Sequence, residues 1–362
     1  MTTLLDERNS RVRTLWSMKK LSLAQVYGTA LLSLCLNVGC EPNTQIVNEL
    51  VQASAPLSSA PLSSAPIAAA TKVSNHLRSP SVPTRSQETI LIASFNIQAL
   101  GESKMNDRWV MERLAEVIRR FDVVAIQEIR SKDQTLLPTL LTYVNAAGGR
   151  YDYLLGPRLG RTVSKEQYAY VFDSTRIITS NECSYTLNDD IDALHREPMI
   201  ARFVVRTNLT AHPWTFSLVN LHTDPDEAIA EVNSMGGILR EIRNYEFMTG
   251  KEDDVILLGD FNAPPSKMGK LQSQAGMRPL IANQPTNVKE TELYDNILIE
   301  PTANVEYTGV CGVLKLREFL GIPMADALKL SDHNPVWAEF LVEERSAYSQ
   351  PQIANQPNFV PR

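Results

Sequence analysis

The stretch VILLGDFNA (Val255–Ala263) sets four consecutive apolar residues directly against Gly259, Asp260 and Asn262. A short unbroken apolar run that stops at a glycine reads as a strand buried on both faces, with its polar end emerging at a sheet rim. Three earlier runs have the same form. ILIASF ends in Asn96, VVAI in Gln127 and Glu128, and FSLV in Asn220, Leu221 and His222. Two later stretches add Tyr294-Asp295 and Ser331-Asp332-His333. Taken singly these are weak signals, since an Asn after a strand usually makes a turn, a rim Glu is usually solvated, and a lone His is usually structural. Their repetition in one chain is what needs explaining. Asp260 and Asn262 are two apart and in extended chain face the same way, whereas the adjacent Asp332 and His333 face opposite ways.

Working outward, the spacing predicts strands over Ile90–Phe95, Val123–Ile129, Tyr151–Leu155, Ala169–Phe172, Ile200–Val205, Phe216–Leu221, Val255–Leu258, Asn296–Ile299 and Pro335–Leu341. It predicts helices over Asp107–Phe121, Thr135–Ala147 and Glu227–Met248. In the first, Val110, Leu114, Val117, Ile118 and Phe121 form one apolar stripe. Gly236-Gly237 interrupts the third and is expected to kink it. Many doubly buried strands in one body imply sheets covered by helices, an α+β protein.

The chain has 362 residues, 43% of them hydrophobic, and a formal net charge of −6. This excludes collagen, a coiled coil and wholesale disorder, and four Cys exclude a disulfide scaffold. The basic residues are over-represented before residue 88, so the body is the acidic part. It is not a basic nucleic-acid clamp, and phosphate handling would need metal ions and a few placed arginines. Lys19-Lys20, the apolar run Leu21–Val38 and Gly39-Cys40 read as an export signal over 1–40, with Cys40 resembling a lipoprotein attachment site and a membrane tether. The repeat ASAPLSSAPLSSAP (53–66) marks an extended linker over 41–87. One body then spans 88–345, followed by a Gln/Asn/Pro-rich tail over 346–362. The expected protein is exported: secreted, periplasmic or tethered.

The conjunction of IASFNIQALG (92–101), DVVAIQEIRSKD (122–133), KEQYAYVFD (165–173), REPMIARF (196–203), LVNLHTDPDEAIAEV (218–232), ILLGDFNA (256–263), ELYDNILI (292–299) and SDHNPVWAEF (331–340) resembles the endonuclease/exonuclease/phosphatase superfamily, and within it the deoxyribonuclease I branch. The resemblance implies a four-layer α/β/β/α sandwich with the site at one rim. It implies metal-dependent hydrolysis of DNA phosphodiester bonds with little sequence preference, by a monomer with no protein partner inferred. Asn96, Glu128 and Asp332 match divalent-metal positions, and oxygen ligands suit Mg²⁺, Mn²⁺ or Ca²⁺ rather than zinc. His222 and His333 match catalytic histidines, with Glu166 and Asp295 as their carboxylate partners. Asp260 and Asn262 match positions beside the scissile phosphate. Arg196 matches a phosphate-contacting arginine, the alternative being a surface salt bridge with Glu197 or another acid. His76, His195 and His212 are read as structural. The family's disulfides are not evident, because Cys183 and Cys311 lie in separate loops. The alternative function is a phosphodiesterase of the same fold acting on phospholipid or inositol phosphate head groups.

Overall fold

The computed structural model describes residues 81–161 and 165–345. The export signal, most of the linker and the tail lie outside the described residues. Two sheets organise the body. The first has the order β12 (Tyr307–Val313), β13 (Val336–Leu341), β1 (Thr89–Leu100), β2 (Val123–Ile129), β4 (Gln167–Asp173), β3 (Tyr151–Leu155). The second runs β10 (Arg278–Pro279), β11 (Asp295–Ile299), β9 (Val255–Asp260), β8 (Thr215–His222), β7 (Met199–Val205), β5 (Ile177–Ile178), with β6 (Ser184–Thr186) also pairing β7. Helices α1 (Glu102–Met105), α2 (Arg108–Ile118), α3 (Leu136–Asn145), α4 (Ala228–Gly250), α5 (Gly269–Ser273), α6 (Leu316–Leu320) and α7 (Met324–Leu330) complete the described elements, with two short 3-10 turns.

The period-two alternation of each strand separates three apolar layers. On β1, Ile90 and Ile92 face the middle layer, while Leu91, Ala93 and Phe95 pack beneath α2 and α3. On β8 and β9, Phe216, Leu218, Ile256 and Leu258 join that middle layer, whereas Val219, Leu221, Val255 and Leu257 pack under α4. The result is the expected α/β/β/α sandwich. It explains why the strand sequences are continuously apolar: both faces are buried.

The predicted stripe on α2 is buried in full, and Asp107 caps the helix by accepting from the backbone N–H groups of Trp109 and Val110. The long helix α4 runs through Gly236-Gly237 as one element. Gly236 serves close packing, since a Cβ there would lie 2.6 Å from the Cβ of Lys270. Strand β12 and helices α6 and α7 were not predicted. Cys183 is exposed and Cys311 half-buried, and both are free thiols.

The chain joins the body before residue 88. Val82 packs against the helix-side core, and the backbone carbonyls of Val82 and Pro83 accept from Arg120. The Arg85 guanidinium pairs with Asp122 and Asp173 and donates to the Tyr151 hydroxyl at 3.0 Å. Asp122 is fully buried and is also held by the Leu91 N–H at 2.7 Å and by Arg176 at 3.4 Å. Removing one partner of a buried ion pair leaves a charge that water cannot reach. Arg85→Ala is therefore expected to lower the unfolding free energy by about 3 kcal/mol, near the lower end of the usual range because Arg176 remains. Urea unfolding checks this. Arg108→Ala, which breaks an exposed pair with Glu112 on α2, should leave the midpoint nearly unmoved.

Candidate active site

Strands β1 and β2 run parallel, as do β8 and β9, so the carboxyl ends of all four reach one rim of the sandwich. Those ends carry Asn96, Glu128, His222 and Asp260. In the second sheet Asp260 lies opposite His222 on one side and opposite Asp295 on the other. His333 arrives from the segment after α7, fixed by Ser331, whose hydroxyl donates to the Asn96 carbonyl at 2.7 Å and accepts from the His333 N–H at 3.0 Å. Behind these groups the two sheets are tied by buried polar contacts. Gln127 donates to Asn220 at 2.6 Å, and Asn220 donates to the Ile126 and Ala169 carbonyls.

Two imidazole–carboxylate pairs face each other across this rim. His222 Nδ1 lies 2.7 Å from Glu166 Oε1, and His333 Nδ1 lies 2.8 Å from Asp295 Oδ2. The opposite ring nitrogens converge, because His222 Nε2 and His333 Nε2 are each 3.7 Å from Asp260 Oδ2. The same Asp260 oxygen accepts from Asn96 Nδ2 at 3.0 Å. All five site carboxylates and imidazoles in these contacts are buried or nearly so.

The electrostatics follow from that crowding. Burial opposes charge on Asp260, yet the two imidazoles and the hydrogen bonds from Asn262 and Asn96 hold its carboxyl below the usual carboxylate range. Burial likewise opposes charge on His222, but the hydrogen bond and charge of Glu166 raise it. His333, also desolvated, is pushed up to about 10 by Asp295 and Asp260 and, more weakly, by Asp332.

Of the oxygen donors expected to hold a metal, Asn96 and Glu128 lie side by side. Asn96 Nδ2 donates to Glu128 Oε1 at 3.2 Å as well as to Asp260, which fixes the amide and leaves Asn96 Oδ1 buried without a partner. Asp332 Oδ1 is also buried and unpartnered, while its Oδ2 accepts from Gln98 at 2.9 Å. Buried polar atoms are normally satisfied, and the free Asn96 oxygen beside Glu128 fits a cation bound through oxygen, whereas Asp332 Oδ1 already lies 3.7 Å from His333 Nε2. Asp260, Asp295 and His333 also offer ligand atoms within 4.8 Å of one another, but their mutual hydrogen bond already engages two of them. Glu128 adopts a left-handed backbone with φ 62°, a strained conformation of the kind that clusters at functional sites.

Three expectations are modified by the geometry. Asp260 and Asn262 do share the cleft, but not as extended chain. Asn262 has φ 44°, and its N–H bonds back to Asp260 Oδ1 at 2.9 Å, so a turn places them together. Arg196 is not on the surface and does not pair with Glu197. It is buried, donates to the carbonyls of His222 and Thr223, and lies 3.4 Å from Glu166. His195, read as structural, lines the cleft with Arg130, Asp224 and Pro225. Arg130, which pairs with Glu128 at 2.8 Å, was also missed, although it lies within the DVVAIQEIRSKD stretch. Gly259 is required because at φ 151° a Cβ would fall 1.8 Å from the Leu221 carbonyl oxygen. That glycine lets β9 come close enough to β8 for Asp260 to reach His222.

The chain matches the Endonuclease/Exonuclease/phosphatase family over residues 93–333 and belongs to it. It is similar to deoxyribonuclease-1 of Gallus gallus, 31% identical over 268 residues that cover 68% of this chain and 91% of that protein. It is also similar to deoxyribonuclease gamma of Rattus norvegicus, 29% identical over 280 residues that cover 72% and 87% of the two chains. A solved structure of a functionally unknown conserved protein from Enterococcus faecalis V583 shares the fold at a TM-score of 0.50 and 17% identity, covering 70% of this chain and all of that one.

A raised histidine pKa means the charged imidazole favours the folded state. That contribution is full below the ordinary value of 6.5 and is lost as pH rises through about 10. Carbon-13 NMR titration in chelator should therefore find His333 protonated at neutral pH, and Asp295→Asn should lower its midpoint. The stability gap between the natural protein and Asp295→Asn should narrow as pH climbs over the same window.

Proposed function

We propose that this protein is a metal-dependent endonuclease that hydrolyses DNA phosphodiester bonds with little sequence preference. The carrying observation is the pair of imidazoles, each fixed by a carboxylate at Nδ1, whose Nε2 atoms both approach Asp260. Two proton carriers converging on one point suit an in-line displacement at phosphorus. One Nε2 takes a proton from the attacking water as the new P–O bond forms. The other gives a proton to the leaving 3′-oxygen as the old bond breaks. Glu166 and Asp295 set the tautomers and favour the imidazolium. A divalent ion held by Asn96, Glu128 and Asp332 would supply positive charge for the phosphate oxygens. Asn262 donates to the Thr223 carbonyl at 2.9 Å, which shapes the cleft wall beside Asp260. Arg196, tied to the backbone beneath His222, is proposed to hold that wall and to offer its charge to the phosphate.

DNA is the preferred substrate because the similar proteins are named deoxyribonucleases, and because REPMIARF and LHTDPDEAIAEV resemble that branch in the sequence itself. Export is part of the proposal, with cleavage near Cys40 and the mature protein either released or tethered through lipidation of that residue, on the strength of segments outside the described residues. No helix among the described residues is long and apolar enough to cross a membrane.

The test is the purified protein on supercoiled plasmid. Nicking is expected with Mg²⁺ or Mn²⁺, lost in excess EDTA, and weakened as salt rises because phosphate contacts dominate such binding. Undiminished nicking in EDTA would contradict the metal assignment. Hydrolysis of sphingomyelin or inositol phosphates with no nicking would transfer the site to the alternative substrates.

A further inference from the structure

The wall of the cleft on the His222 side is built from two segments, His195 and Arg196 ahead of β7, and Thr223 and Asp224 just past β8. One carboxylate behind them ties both. Glu231, on α4 and fully buried, accepts the His195 N–H at 2.7 Å on Oε1 and the Asp224 N–H at 3.1 Å on Oε2. Arg196 crosses the same seam and donates to the His222 and Thr223 carbonyls. Both oxygens of the buried carboxylate are thereby used, and the two segments are joined through their main chains. The His195 ring is not needed for that join.

The ring nevertheless sits in the cleft wall, with only 11% of the side chain exposed. Its Nδ1 lies 3.6 Å from Asp224 Oδ2, close enough for an ion pair and too long for a hydrogen bond. No hydrogen bond to the ring is present among the described residues. A polar ring so enclosed is costly to leave without a partner. An imidazolium donates at both nitrogens, so with Nδ1 toward Asp224 the Nε2–H is left for an acceptor in the cleft. Arg196, next in the chain, adds positive charge behind it, which favours an anionic acceptor. A DNA strand supplies such anions at every nucleotide. A strand with one phosphate between His222 and His333 continues past one imidazole or the other, and on the His222 side it meets His195.

We propose that His195 binds a phosphate of the substrate strand outside the scissile bond, with Asp224 orienting the ring and Glu231 fixing the backbone that carries it. This subsite rests on the nuclease reading of the same cleft. A phosphate contact of this kind positions the strand and carries no sequence information, in keeping with cleavage of little sequence preference.

The experiment is cleavage by the full-length protein in Mg²⁺ of a set of duplex oligonucleotides, each with one neutral methylphosphonate linkage at a different position, the cut bonds being mapped on sequencing gels. For the natural protein, cleavage is expected to drop at the modified linkage and also at bonds a fixed number of nucleotides away, one offset for each phosphate held outside the scissile bond. His195→Ala should raise KM on unmodified duplex by about 10-fold, as loss of a charge-assisted hydrogen bond does, and should abolish the drop at one of those offsets while keeping the others. Two changes that remove the same contact do not add, and a role confined to the shape of the wall would not erase a single offset. Any residue at 195 keeps the backbone N–H that Glu231 accepts. His195→Leu, closer in volume and without a donor, should lose the same offset and serves if alanine disturbs the fold, which circular dichroism checks. An identical set of offsets in the natural protein and the folded variants would overturn the subsite and leave the nuclease reading intact. Absence of cleavage of unmodified duplex by the natural protein would overturn that reading and the subsite with it.

Discussion

Asp260 sits between two imidazoles, and the rest of the site is arranged around that contact. A carboxylate buried at the seam of two sheets is costly unless opposite charge and hydrogen-bond donors surround it. Here they do: His222 and His333 both approach one oxygen, Asn96 donates to it, and the Asn262 N–H caps the other. Each imidazole is in turn held by its own carboxylate. Three carboxylates and two imidazoles share one buried cluster, so the charge state of each depends on the others and the cluster is a single electrostatic unit rather than a set of separable residues.

That unit dictates features far from the chemistry. The parallel pairs β1–β2 and β8–β9 bring four strand ends to one rim, and Gly259 permits the close approach of β9 to the Leu221 carbonyl. The left-handed backbone at Glu128 and Asn262 is tolerated because three apolar layers clamp the strands that carry them. Gln127, Asn220 and Tyr168 bridge the sheets beneath the rim, so the polar site rests on a polar floor before the apolar interior begins.

Much of this was legible in the sequence because doubly buried strands leave uninterrupted apolar runs, and the site residues follow those runs directly. Every strand predicted from such a run is present, with ends shifted by a few residues. What was illegible has physical reasons. Strand β12, YTGVCGV, contains two glycines and is largely exposed along its first half, so it has no apolar run. Helices α6 and α7 are too short to show a period. Arg85 gave no signal because its partners Asp122 and Asp173 lie 37 and 88 residues away. Arg196 matches a phosphate-contacting arginine in the sequence, but nothing in its neighbours announces that it will be buried against the His222 and Thr223 carbonyls.

The central claim is that Glu166 and His222, 56 residues apart in sequence, work as one proton-transferring pair. The most direct measurement is kcat for plasmid or dinucleotide-ester cleavage by Glu166→Gln, His222→Ala and the double variant, with folding checked by circular dichroism. Loss of His222 should cost on the order of 10²–10⁴-fold, and loss of Glu166 less, because the imidazole remains but is poorly oriented. Groups that act as a unit are strongly non-additive, so the double variant should be scarcely slower than His222→Ala alone. Losses that multiply would contradict the account, because the two residues would then act independently.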